Sequence, residues 1–186
     1  RYAIAPGLTF IGALFDVSKP TNGFRADDSF GLVGEVRHRG VEGSIAGQLD
    51  AKTSVVIGAV AFEPKVTGPR VDAGVVGSRA AGISHRIVNA TIERRLGDSW
   101  SVDAGLSYSG ERWADTANTF KTPAVTLLSL GARSRFVLAG RPAEFRVLAS
   151  NLTGAEGYWA APTGIFSPIA PRTVRAMLTV TFGPQG

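Results

Sequence analysis

The sequence predicts an all-β chain, an antiparallel up-and-down meander of about eight strands that forms a stretch of transmembrane β-barrel. Three observations predict it. Apolar and polar residues alternate with period two along several segments; short and long connections between those segments alternate strictly; and no run of eighteen apolar residues exists, which excludes a transmembrane helix. Charged residues such as Asp16, Arg37, Glu63, Arg94 and Arg133 interrupt every apolar stretch. Mean hydropathy is nevertheless slightly above zero, as expected of a barrel with an apolar outside and a polar inside.

The clearest strand is Trp100–Ser109, where Trp100, Val102, Ala104, Leu106 and Tyr108 alternate with Ser101, Asp103, Gly105, Ser107 and Ser109. Its eight residue steps span roughly 26 Å along the strand and about 19 Å of height after tilt, comparable with the apolar band of such barrels. Trp100 and Tyr108 then fall where girdle aromatics belong. Residues 173–182 repeat the pattern, with Val174, Ala176, Leu178, Val180 and Phe182 opposite Arg175, Met177, Thr179 and Thr181. Weaker versions run through 128–136, 145–150, 88–93 and 41–49. Segments 8–17 and 54–62 read as strands whose two faces the sequence does not distinguish. Short connections are expected at 5–7, 50–53, 97–99 and 139–142, and long ones near 18–29, 64–83, 111–124 and 154–171. Tight turns on one side and extended loops on the other are the habit of bacterial outer-membrane barrels. A soluble antiparallel sandwich or lipocalin-like barrel would share the alternation. Its polar faces would carry more lysine, and its long loops would not all fall on one side.

All 186 residues are read as one unit. With no Cys, disulfide frameworks and thiolate metal sites are absent. The net charge of +5 suits nucleic acid, anionic lipid or a small anionic ligand and does not choose among them. His38 and His85 are the two histidines, and neither has an acidic or thiol residue at ligand spacing, so no metal site is expected. No Gly-x-Ser-x-Gly elbow and no phosphate-cradling glycine loop followed by Lys occur. Asn151, Leu152 and Thr153 fit a glycosylation pattern, but Asn151 is read as a strand-end residue. Basic residues lack the aromatic interleaving of single-strand binders, and nucleic acid is not expected as a partner.

Several segments, in order, resemble the C-terminal barrel of TonB-dependent siderophore receptors. Gly7 leads a strand to Phe15 and Asp16. Arg37, His38, Arg39, Gly40, Val41 and Glu42, trailed by Gly47, resemble the family's Arg-x-Arg-Gly-hydrophobic-Glu segment, the most specific match. Tyr108, Gly110, Arg112, Asp115 and Asn118, then Pro123 and Leu130 to Arg133, resemble a later hairpin. Asn151 and Leu152 before Tyr158 and Trp159, and Pro171, Arg172, Thr173 and Val174 before Phe182, resemble the last loop and strand. Two features depart from the pattern. Thr153 and Gly154 stand where the family usually has an aromatic and an acidic residue, and 183–186 follow Phe182 where members commonly finish on an aromatic that the barrel assembly machinery reads.

The resemblance implies that residues 1–186 are part of a barrel of about 22 strands, in the bacterial outer membrane and in contact with its lipids. Arg1 and Tyr2 then look like the end of a preceding strand, with the plug domain and the TonB-contacting motif upstream. It implies uptake of a ferric siderophore as transported ligand, no covalently bound cofactor, no enzymatic step, and energy from the TonB complex acting through those upstream regions. Long loops carry recognition, and Arg and Trp give large contact energy. Ligand contact is therefore expected at Arg70, Arg79, Arg112, Trp113, Lys121 and Trp159, although Trp113 and Trp159 also suit a membrane interface. Arg133, Arg135, Arg146 and Arg175 fall opposite the apolar face and so toward the lumen. There they either steer an anionic ligand or pair with carboxylates such as Asp103, Glu93 or Glu42. The other reading, resting on strand count, is a self-contained eight-stranded outer-membrane barrel serving as an adhesin or structural anchor.

Overall fold

The computed structural model describes residues 1–25, 28–161 and 163–182; the trailing segment 183–186 lies outside them. In chain order the elements are β1 (Tyr2–Ala5), β2 (Leu8–Phe24), β3 (Phe30–Asp50), β4 (Thr53–Thr67), α1 (Pro69–Asp72), β5 (Arg86–Arg95), β6 (Trp100–Ser109), β7 (Arg112–Trp113), β8 (Lys121–Thr122), β9 (Val125–Leu138), β10 (Arg141–Ser150), β11 (Tyr158–Ala160), β12 (Phe166–Pro168) and β13 (Thr173–Val180). Among the described residues, nine strands form one sheet in the order β1-β2-β3-β4-β5-β6-β9-β10-β13. Every neighbouring pair is antiparallel. The ninth strand beyond the expected eight is β1, at the place where the end of a preceding strand was anticipated. β1 and β13 form the two edges, and no pairing joins them. The closure that a self-contained small barrel requires is not seen.

Residues directly opposite in an antiparallel pair share a face, so the register assigns both sides of the whole sheet. One row runs Phe10–Ile45–Ile57–Ala90–Leu106–Leu128 and another Ile92–Ala104–Leu130–Ala149–Val174. These continue in Leu14–Val41–Ala61 and in Val102–Ala132–Val147–Ala176, a row that Arg94 and Thr53 complete on β5 and β4 at the short-turn end. The sides of β2 and β4 that the sequence left open are thereby fixed: Phe10, Leu14, Ile57 and Ala61 lie on the apolar face. Its side chains range from exposed, Leu14 at 86% and Val174 at 69%, through half-buried Ile45, Ile57 and Leu106, with Val55 the buried exception. Burying a side chain of this size is worth about 1.5–3 kcal/mol, so water is the wrong neighbour for such a face and lipid the right one. No large side chain is fully buried among the described residues, and the dry core that a soluble sandwich needs is missing.

The apolar face has an upper limit. Immediately beyond Leu14–Val41–Ala61 come the rows Asp16–Arg39–Glu63 and Ser18–Arg37–Lys65. Arg37 grips Asp16 through two hydrogen bonds of 2.6 and 2.5 Å. Here the strands leave the hydrocarbon but do not end. Residues 18–24, within the long connection expected near 18–29, instead stay on the ladder opposite Phe30 to Arg37. Hydrogen bonding to β3 outweighs local propensity.

The tight turns fall where expected. Asp50 accepts from the Lys52 amide at 2.7 Å and from the Thr53 hydroxyl at 2.9 Å, the side-chain cap that makes Asp a turn former. Ala139 and Gly140 both adopt positive φ, 50° and 74°, as a two-residue hairpin turn demands.

Candidate functional site: the long-loop end

Three long connections, 68–85, 110–124 and 151–172, rise on one side of the sheet, and each is tied at its base. The buried Ser84 hydroxyl donates to the Gly110 carbonyl at 2.9 Å, joining the first connection to the second. Asn151, buried with φ of 53°, holds the third: its amide donates to the carbonyls of Ala155 and Ala170, each at 2.9 Å. Its side-chain oxygen accepts from the Ala155 backbone amide at 2.9 Å. The residue read as a strand end is thus the knot that closes a loop, and Thr153 is enlisted with it, its hydroxyl donating to the Thr126 carbonyl at 2.8 Å.

Above the bases the connections contain small hairpins that the alternation did not reveal, β7–β8 in the second and β11–β12 in the third. β7–β8 is central. Asn118, at φ of 58°, exchanges a reciprocal pair of hydrogen bonds with Arg79, accepting from its amide and donating to its carbonyl at 2.9 Å each. The Gly77 amide donates to the Thr116 carbonyl at 2.8 Å. A Cβ on Gly77 would lie 2.0 Å from the Asn118 side-chain oxygen, so any larger residue would displace the Asn118 side chain. On the other flank Phe120 stacks on Phe166 of β12, centroids 6.2 Å apart and planes 16° from parallel. Asp115 shapes the turn, accepting from the Thr119 hydroxyl at 2.6 Å and the Thr119 amide at 2.9 Å. These bonds, the Thr119 hydroxyl first, hold its carboxyl below the ordinary value of 3.8.

Five of the six residues expected to touch ligand meet at this hairpin. The Arg112 guanidinium lies 4.8 Å from the Trp159 ring centroid, and the Lys121 ammonium 4.7 Å from that of Trp113. Burial lowers the Arg112 pKa from its ordinary value, and a partly desolvated cation over an indole is worth about 1–2 kcal/mol. Arg79, Trp113 and Lys121 line one cleft of about 450 Å³ with Phe62, Pro64, Ile83, His85, Glu63 and Glu111. Arg70 stands apart in a neighbouring cavity of about 180 Å³ walled by Val33, Val36, Val66, Val71 and Val76, with Arg79 between the two. The sequence did not single out the carboxylates. Glu111 accepts from Lys121 at 2.5 Å, which holds its carboxyl below the usual range, and Glu63 pairs with Arg79. The signals the sequence holds are a Glu beside Arg112 and a Glu-Pro pair within β4.

On the face opposite the apolar one, Arg133 and Arg135 both approach Glu144, at 3.6 and 3.2 Å, and Arg146 approaches Asp103 at 3.4 Å. Pairing is therefore found for three of the four arginines, with Glu144 as the partner not foreseen in place of Glu93 or Glu42. Asp103 leans over Gly131, where a Cβ would sit 2.4 Å from its oxygen. Arg175 has no ion pair among the described residues and lines a groove with Asn89, Thr91, Ser107 and Ser129. No group of residues able to hold a metal ion occurs among the described residues.

The family model described as TonB dependent receptor-like, beta-barrel matches residues 10–152. The chain belongs to that family. As a TonB-dependent receptor barrel it is an outer-membrane β-barrel protein, and its family is one of receptors and transporters. The ferrichrome receptor FcuA of Yersinia enterocolitica is 27% identical over 150 residues, 79% of this chain and 20% of that protein. Among solved structures, BauA, the ferric preacinetobactin receptor of Acinetobacter baumannii, superposes with a TM-score of 0.81 at 21% identity, over 94% of this chain and 27% of its own. The ferripyoverdine receptor of Pseudomonas aeruginosa gives 0.71 at 14% identity, over 92% and 24%. The TonB-dependent receptor barrel described here thus spans about a quarter of the length of these structures.

Proposed function

We propose that this segment supplies barrel wall and extracellular loops to a receptor for TonB-dependent uptake of a ferric siderophore. The observation that carries the reading is the family match over 10–152, which coincides with the strands and loops that build the cleft at the long-loop end. Arg79, Arg112, Trp113, Lys121 and Trp159 give that end its recognition surface, with Arg70 at its margin. Arg133, Arg135 and Arg146 serve first as a cross-linked wall, since each already faces a carboxylate, and Arg175 remains to attract anions into the lumen. The segment makes and breaks no covalent bond. Its partners are the ferric siderophore, outer-membrane lipid on the apolar face, the barrel assembly machinery during insertion, and the TonB complex acting through other parts of the receptor.

Deleting the gene and growing cells on single defined ferric siderophores as sole iron source tests this. Growth should fail on at least one source and return with the gene restored. Unimpaired growth on every iron source refutes siderophore uptake.

A further inference from the structure

We propose that the lipid side of β2–β5, just above its apolar band, binds the phosphate-bearing headgroup of an outer-leaflet glycolipid. It rests on an outer-membrane barrel with its long loops outward, whatever the cargo. Cross-strand register carries the lipid-facing side past Leu14–Val41–Ala61 into Asp16–Arg39–Glu63 and then Ser18–Arg37–Lys65. Arg86, opposite Ala61, and Arg79, bridged to Lys65, extend it sideways. Five cations thus share one band with three carboxylates: Asp16, Glu63 and, one row higher, Glu35. Arg37 engages Asp16 and Arg79 engages Glu63, while Glu35 accepts from the Ser18 hydroxyl at 2.7 Å. Arg39 is left 4.0 Å from an Asp16 already engaged. Lys65 and Arg86 have no ion pair among the described residues.

Lys65 lies directly opposite Arg37 on one side and Arg79 on the other, and like charges in cross-strand pairs repel. A phosphate set among them supplies the missing negative charge and offers acceptor oxygens to Arg39 as well. The height is right for a headgroup. Successive rows on one face are about 7 Å apart along a strand, or roughly 5 Å in height at a tilt of about 45°, and the headgroup layer reaches about 5–8 Å beyond the hydrocarbon. Arg39 stands one row past the last apolar row and Lys65 two, and a Lys stem can bend back toward the layer. Lipid rather than a free anion fits because Leu14, 86% exposed, and Val41 lie directly beneath and offer acyl chains a surface under the same headgroup. On β6 and β9 the lipid side ends instead on Tyr108 and Thr126, without charge. At the short-turn end Arg94 is 3.5 Å from Asp50, and Arg141 lies over the Phe182 ring.

The test uses the receptor expressed from its complete open reading frame and purified in neutral detergent. Three probes are titrated: a bisphosphorylated glucosamine lipid, the same lipid without phosphates, and inorganic phosphate. The unaltered receptor should bind the phosphorylated lipid at least about tenfold more tightly than the phosphate-free one, a preference that added salt weakens. The double variant Arg39→Gln, Lys65→Gln spares the Arg37–Asp16 and Arg79–Glu63 pairs. It should remove most of that preference and leave the affinity for the phosphate-free lipid unchanged, whereas Arg94→Gln should leave the preference intact. Equal affinity of the unaltered receptor for the two lipids overturns the proposal. So does inorganic phosphate that competes at equal concentration, since the band would then take a free anion. A preference that survives the double variant places the headgroup elsewhere and overturns it too. Should the double variant fail to fold, Lys65→Gln alone, which breaks no ion pair, decides by the same readout.

Discussion

Asp115 and Gly77 show how single residues set the loop end. The Asp115 carboxylate shapes its turn only while ionised, and its pKa is lowered chiefly by the Thr119 hydroxyl. A group depressed in the folded state contributes stability above its unfolded value and loses it as pH falls through the folded one. The 115–120 turn should therefore hold at neutral pH and begin to open only below about pH 4. Asp115→Asn should flatten that dependence, read by amide hydrogen exchange of Thr119 and Phe120 across pH. At Gly77 the constraint is space. In Gly77→Ala the new methyl collides with Asn118, so Arg79 and Asn118 should part. The expected signature is faster exchange at the Arg79 amide and a local destabilisation of about 1–3 kcal/mol, with the barrel strands unaffected.

The β7–β8 hairpin shows what only tertiary structure reveals at the level of elements. Each strand is two residues long, too short for any periodic signal. It holds because its neighbours grip it, through Asn118 on one flank and Phe120 on the other. Phe120→Ala should release the β11–β12 hairpin without disturbing the Arg79 clasp, observable as raised exchange confined to 158–168; exchange spreading into 77–82 would show that the two flanks are not independent. β6 is the opposite case. Its strict alternation makes Trp100–Ser109 legible residue for residue, because one face meets lipid along its whole length. β2 lies between: alternation gives its start at Leu8, but past Val17 neither face is lipid-bound, so turn-forming residues can occupy a strand and composition misleads. The candidate site follows the same logic. Its Arg and Trp residues are readable as types apt for recognition, and Asn118 belongs to a segment that resembles the family, whereas their partners Glu63, Glu111 and Phe166 are chosen by folding and carry no pattern of their own.

For the whole molecule, the decisive property is that one side of a nine-stranded sheet carries a band of apolar rows from Phe10 to Val174, bounded by Asp16–Arg39–Glu63 at one end and by Thr53–Arg94 at the other. The opposing side mixes Ser, Gly, Thr and paired charges with apolar residues such as Ile11, Val56, Leu127 and Met177. Leu130, 55% exposed in the middle of β9, reports on this difference. Leu130→Arg places a charge in hydrocarbon and should cost about 2–4 kcal/mol, seen as lowered folding efficiency into lipid vesicles. Ser129→Arg, one residue away on the lumen side, should insert with little loss. Equal tolerance at both positions would contradict the assignment of faces.

The clasp between Gly77 and Asn118 and the stack of Phe120 on Phe166 also bear on how ligand preference diversifies in such receptors. Three connections from separate parts of the chain are fastened into one ensemble with a single hairpin as keystone. Exchanging one of them for the counterpart from a relative would leave dangling halves of a clasp and a stack. On the proposed reading, a loop exchange that preserves this ensemble carries 68–172 as one block.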